Sequence, residues 1–148
     1  MVMDMEYYYI TQCEIDDMTN VLISQIRESK RVFQGVIGIA NGGLHISHKI
    51  AEALNLDHSI AQISCYEGQN FRNNIQVGDL PPLLENQLVI DDLIDTGKTF
   101  EFFDELYGVQ NHAIAVLFWQ NGSFQKPDFF VKEKPPQWIV FPWELENA

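Results

Sequence analysis

The stretch Val89-Ile-Asp-Asp-Leu-Ile-Asp-Thr-Gly-Lys-Thr99 decides the fold. An apolar run, Leu88-Val89-Ile90, enters a pair of aspartates and then Asp95-Thr96-Gly97-Lys98-Thr99, beyond which residues 99–107 have helical character. A short β-branched run that gives way to a glycine turn and then a helix reads as a buried strand of a parallel sheet. The same order recurs upstream, where Gly35-Val-Ile-Gly-Ile-Ala40 stops at Asn41-Gly42-Gly43 and helical spacing resumes over 44–56. Further strands are expected at 7–11, 59–66 and 112–120, and a helix at 16–33 capped by Asp16 or Asp17. Strands alternating with helices of this length predict an α/β fold, a mostly parallel twisted sheet flanked by helices.

The chain has 148 residues, enough for one domain spanning 1–148. Nine basic against 21 acidic residues give a net charge of -12, which repels a phosphate backbone and excludes a nucleic-acid partner. An anionic small ligand then needs oriented backbone N–H groups or a divalent cation. No apolar run reaches membrane-spanning length and no basic leader precedes one, so a cytoplasmic protein without a membrane partner is expected. Cys13 and Cys65 fit no metal or redox spacing and read as reduced thiols.

Ligands of a parallel sheet gather at the carboxyl ends of its strands, so the turns carry the chemistry. Thr96-Gly97-Lys98-Thr99 at a helix start offers backbone N–H groups and two hydroxyls, a receptor for one phosphate. A nucleoside-triphosphate loop is excluded, because its pattern requires glycine where Asp92 stands. Adjacent carboxylates beside such a cradle suit vicinal hydroxyls and a hard cation. His45 and His48 stand at i, i+3 of a helix without an evident third ligand, and are expected to face solvent or a subunit contact. Residues 67–85 show little periodicity and read as a loop that acts as a lid, and residues 126–148 as an aromatic, proline-rich tail that covers something.

Residues 89–99 resemble the signature of the type I phosphoribosyltransferases. Asn41-Gly-Gly-Leu44 resembles that family's diphosphate loop, Cys65-Tyr66-Glu67 the start of its mobile catalytic loop, and Trp138-Ile-Val-Phe-Pro-Trp-Glu144 the base-covering tail of its short xanthine-guanine members. The resemblance covers roughly residues 9 to 146 and implies a small C-terminal hood on the sheet. It also implies transfer of the phosphoribosyl group of 5-phosphoribosyl-1-diphosphate (PRPP) to a purine base with Mg²⁺, in a homodimer or homotetramer. On that pattern Asp91 and Asp92 address the ribose hydroxyls, and Asp92 also Mg²⁺, directly or through water. Asp95, Thr96, Gly97, Lys98 and Thr99 hold the 5′-phosphate, and Asp95 assists deprotonation at purine N7. Asn41, Gly42, Gly43, Cys65 and Tyr66 take the diphosphate, and Gln120, Trp138 and Ile139 the base.

Three positions depart from the pattern. Asn41 replaces a basic residue and Cys65 a serine, which weakens the diphosphate side. On the best alignment Gln120 stands where 6-oxopurine enzymes carry a lysine, and a one-residue shift puts Trp119 there; the Gln120 amide both donates and accepts, so the base preference stays open. These departures also sustain an alternative, a catalytically impaired PRPP- or nucleotide-binding regulator of the same fold.

Overall fold

The computed structural model describes residues 6–40, 42–67, 73–82, 85–107, 112–123 and 126–146. The chain runs β1 (Tyr7–Tyr9), α1 (Gln12–Glu28), β2 (Gly35–Ala40), α2 (Leu44–Leu54), β3 (Asp57–Glu67), β4 (Asn73–Val77), β5 (Gln87–Ile94), α3 (Lys98–Tyr107), β6 (Ala113–Trp119), β7 (Phe129–Glu133), β8 (Trp138–Val140) and α4 (Pro142–Glu146). Six strands form the main sheet in the order β4-β3-β2-β5-β6-β7. Five of them are parallel and only β4 runs antiparallel, against β3.

The continuous apolar runs are explained by burial on both faces. Val36, Leu88, Ile90 and Ala115 point to one side, where Ile15 and Leu22 of α1 and Ile46 and Ile50 of α2 cover them. Ile37, Ile39, Val89, Ile114 and Val116 point to the other, under Phe100 and Phe103 of α3. Burying one such side chain contributes roughly 1.5–3 kcal/mol, so the alternation fixes the strand register.

Several boundaries differ from the sequence reading. Helix α1 begins earlier, because Thr11 and Glu14 form a capping box: Glu14 N–H donates to Thr11 Oγ1 at 3.1 Å and Thr11 N–H to Glu14 Oε1 at 3.2 Å. The cap is therefore Thr11, not Asp16 or Asp17, and the helix stops near Lys30, whose φ is 59°. The segment 67–85 is not wholly a loop. Residues 73–77 pair with β3 from Ile63↔Val77 to Glu67↔Asn73, and Tyr107 Oη donates to Pro81 O at 2.7 Å, tying residues 78–82 to α3. The tail from residue 126 also divides. Its first part, β7, extends the main sheet, while β8 pairs in parallel with β1 to form a separate two-stranded sheet, which together with α4 makes the C-terminal hood.

Candidate active site

Strand β2 has β3 on one side and β5 on the other, so the strand order reverses between β2 and β5. A crevice opens at the carboxyl ends of strands at such a point. The β2–β5 ladder ends at Gly38↔Ile90, and beyond it Gly42 and Gly43 pack into the gap. A Cβ on Gly43 would stand 2.5 Å from Ile90 O and 2.8 Å from Ile39 O, so only glycine fits there. A Cβ on Gly42 would overlap the Asp92 carboxylate. The turn after β2 and the acid pair on β5 are thus in direct contact.

Asp91 and Asp92 are part-buried, and each carboxylate accepts the N–H of the following residue. Asp92 N–H donates to Asp91 Oδ1 at 2.8 Å and Leu93 N–H to Asp92 Oδ1 at 2.7 Å. Burial raises both carboxyls, and their mutual repulsion lifts Asp91 well above the carboxylate range. Burial likewise raises Asp92, to about 6; the hydrogen bonds from Asp91 and Leu93 work against this, and the Glu144 carboxylate adds to it. Two raised acids held side by side are poised for charged partners.

The turn that follows opens directly into α3. Gly97 has a φ of 88°, a left-handed conformation that glycine adopts without steric cost. Lys98 N–H donates to Thr96 Oγ1 at 3.4 Å, and Glu101 N–H to Gly97 O at 2.9 Å as α3 begins. Asp95 and Thr96 are exposed, and Thr99 is half-buried at the first turn of the helix. Gln120 lies beside this turn: its N–H donates to Ile94 O at 2.8 Å, one residue before Asp95, while its side chain is exposed.

The hood reaches the same region. Trp138 is half exposed, whereas the side chain of the next residue, Ile139, alternates inward and is buried in the core. Trp143 lies between two rings, stacking on Phe141 at 4.6 Å and on His45 at 4.4 Å with planes 4° apart. His45 thus covers the hood with one face and does not simply face solvent. Glu144, whose Oε1 accepts from Phe141 N–H at 3.4 Å, lies close enough to Asp92 to raise its pKa. The sequence reading placed Trp143 and Glu144 in the covering tail and gave neither a role of its own, since both contacts join segments far apart in the chain. Asn41 lies outside the described residues, as do the side chains of Cys65 and Tyr66, whose main chains belong to β3.

Known proteins resemble this chain in sequence and fold. The sequence pattern described as the phosphoribosyl transferase domain matches residues 11–147. The chain belongs to that family. A xanthine-guanine phosphoribosyltransferase of Desulfotalea psychrophila is 31% identical over 123 residues, covering 80% of this chain and 74% of the relative. Another, from Idiomarina loihiensis, is 28% identical over 117 residues, covering 76% and 72%. Among solved structures, a purine phosphoribosyltransferase of Pyrococcus horikoshii superposes with a TM-score of 0.78 at 28% identity, covering 95% of each chain. The chain therefore has the type I phosphoribosyltransferase fold expected from residues 89–99. Among its described residues, no helix is long and apolar enough to cross a membrane.

Proposed function

We propose that this protein moves the 5-phosphoribosyl group from PRPP to a purine base and releases diphosphate. The observation that carries the reading is the convergence of Gly42 and Asp92 at the sheet's switch point, one turn from the Thr96-Gly97 cradle. That spacing suits a ribose with a phosphate at one end and a diphosphate at the other.

The donor chemistry fits Mg²⁺. No three metal-ligating side chains converge among the described residues, as they would in an all-protein cage. Magnesium is instead held by one or two carboxylates together with substrate phosphates and water, and Asp92, with Glu144 near it, offers that set. When bound, Mg²⁺ neutralises charge on the diphosphate and on the acids that grip the ribose.

The chain's own residues do the rest. Backbone and hydroxyl donors from Asp95 to Thr99 fix the 5′-phosphate, and main-chain N–H groups at Gly42 and Gly43 receive the diphosphate. Asp91 and Asp92 accept from the ribose hydroxyls and stabilise positive charge as the bond from C1′ to the diphosphate oxygen breaks. The base nitrogen then bonds to C1′ while Asp95 takes the proton from N7. Trp138 lies on the purine face, and the Gln120 amide reads its 6-substituent. Closure of residues 67–85, of which 68–72 and 83–84 lie outside the described residues, excludes water from the reacting centre.

The test is to incubate the protein with PRPP, Mg²⁺ and, separately, guanine, xanthine, hypoxanthine, adenine and pyrimidine bases while following diphosphate release. Turnover with a purine supports the reading. PRPP binding without turnover on any base favours the regulator instead, and failure to bind PRPP removes both.

A further inference from the structure

We propose that His45 is a diphosphate-binding residue of this pocket, donating an imidazole N–H to an oxygen of the leaving diphosphate; the inference rests on the PRPP reading above. His45 is the second residue of α2, two positions after Gly43, which fills the gap between β2 and β5. No side chain caps this helix, since its N-cap is Gly43. The turn just before it packs against acids, Gly42 beside the Asp92 carboxylate and Gly43 beside the Asp91 main chain, and Glu144 on α4 acts on Asp92 in turn. An anion arriving here needs a donor from a side chain as well as from the backbone.

The basic side chains of α2 differ in one respect. Lys49 faces Asp16 at 3.9 Å and His48 faces Glu52 at 4.0 Å, so each has an acidic partner. His45 has none among the described residues. Instead its ring lies flat on Trp143, with centroids 4.4 Å apart and planes 4° apart, at the exposed end of a stack that continues to buried Phe141. A ring held by one face keeps both nitrogens free in its plane, and imidazole donates an N–H whether neutral or protonated. The stack therefore limits the ring's rotation without using its hydrogen-bonding capacity. His45 gives the neutral Asn41-Gly42-Gly43-Leu44 loop a donor that the loop's own side chains, apart from the Asn41 amide, do not provide.

The experiment is calorimetric titration of the full-length protein with inorganic diphosphate and Mg²⁺, for the parent, His45→Phe and His45→Lys. Phenylalanine keeps a ring on Trp143 but has no donor, whereas lysine keeps a donor and loses the ring. Thermal melting of each variant checks that it is folded. The proposal predicts a Kd raised about tenfold in His45→Phe and within about threefold of the parent in His45→Lys. Parent-like affinity in His45→Phe overturns it, and so does equal weakening in both variants, which would make the ring only a positioning element. A parent that binds no diphosphate contradicts the PRPP reading itself, whereas a binding parent with an unaffected His45→Phe removes His45 alone.

Discussion

Gly42 and Asp92 are in contact across the switch point of the sheet, so closely that any side chain at position 42 would occupy the space of the Asp92 carboxylate. The contact couples the turn after β2 to the acids on β5. The Asp92 side chain can yield where a backbone cannot, so Gly42→Ala should leave the fold intact and displace the carboxylate. The expected result is an unchanged melting temperature with PRPP binding weakened about tenfold or more. Gly43→Ala, by contrast, meets main-chain oxygens on both sides and should cost about 1–3 kcal/mol of stability, measured by denaturant unfolding.

The acid pair gives the free protein a pH-dependent stability with a definite sign. Asp92 has an ordinary carboxylate pKa of 3.8 when unfolded and about 6 in the native state. Between those values the native state binds more protons than the unfolded one, so stability falls as pH rises through the window and stays lower above it. Asp91, raised further by burial and by Asp92, extends the fall toward higher pH. Asp92→Asn removes part of this cost and should stabilise the ligand-free protein above pH 6 by roughly 1–2 kcal/mol. Thermal melts at pH 4, 5, 6 and 7.5 check this. A variant no more stable than the parent at pH 7.5 would mean that the carboxylate is not strained.

Much of this site was legible in the sequence because its parts are local. The β5 run, its paired acids and the Thr96-Gly97 turn lie within a dozen residues, and strand period, glycine turn and helix start all point the same way. The start of α1 is ambiguous in the sequence because Asp16 and Asp17 are also good cap residues, and only the reciprocal Thr11–Glu14 hydrogen bonds decide between them. Strand β4 was missed because Asn73, Asn74 and Gln76 show no apolar alternation; its pairing comes from the backbone ladder with β3. The Trp143 stack on His45 and the approach of Glu144 to Asp92 join segments far apart in the chain. No local pattern encodes such contacts.

Trp138 and its neighbour Ile139 separate a binding role from a packing role. Trp138 is half exposed, so Trp138→Ala should change the melting temperature little and raise KM for the base about fivefold to a hundredfold, the range expected for a lost stacking partner. Ile139→Ala should do the reverse, costing about 2–5 kcal/mol of stability as its buried side chain is cut back. Equal KM values for Trp138→Ala and the parent would move the base elsewhere.

Gln120 is positioned by its main-chain bond to Ile94 beside the Asp95 turn, with its amide exposed. Gln120→Lys replaces a group that donates and accepts with one that only donates. The ratio of kcat/KM for guanine or hypoxanthine over adenine should rise by about tenfold. An unchanged ratio would show that this side chain does not read the 6-substituent.

The most direct test of the central claim, that the pocket joining Gly42, Asp92 and the Thr96-Gly97 turn transfers a phosphoribosyl group, is detection of the nucleoside monophosphate itself. The protein is incubated with PRPP, Mg²⁺ and a purine base, alongside Asp95→Ala, and the product is resolved by chromatography. The account predicts purine 5′-monophosphate from the parent, and none from Asp95→Ala although it still binds PRPP. Equal product from both proteins, or none from the parent with any purine, would contradict it.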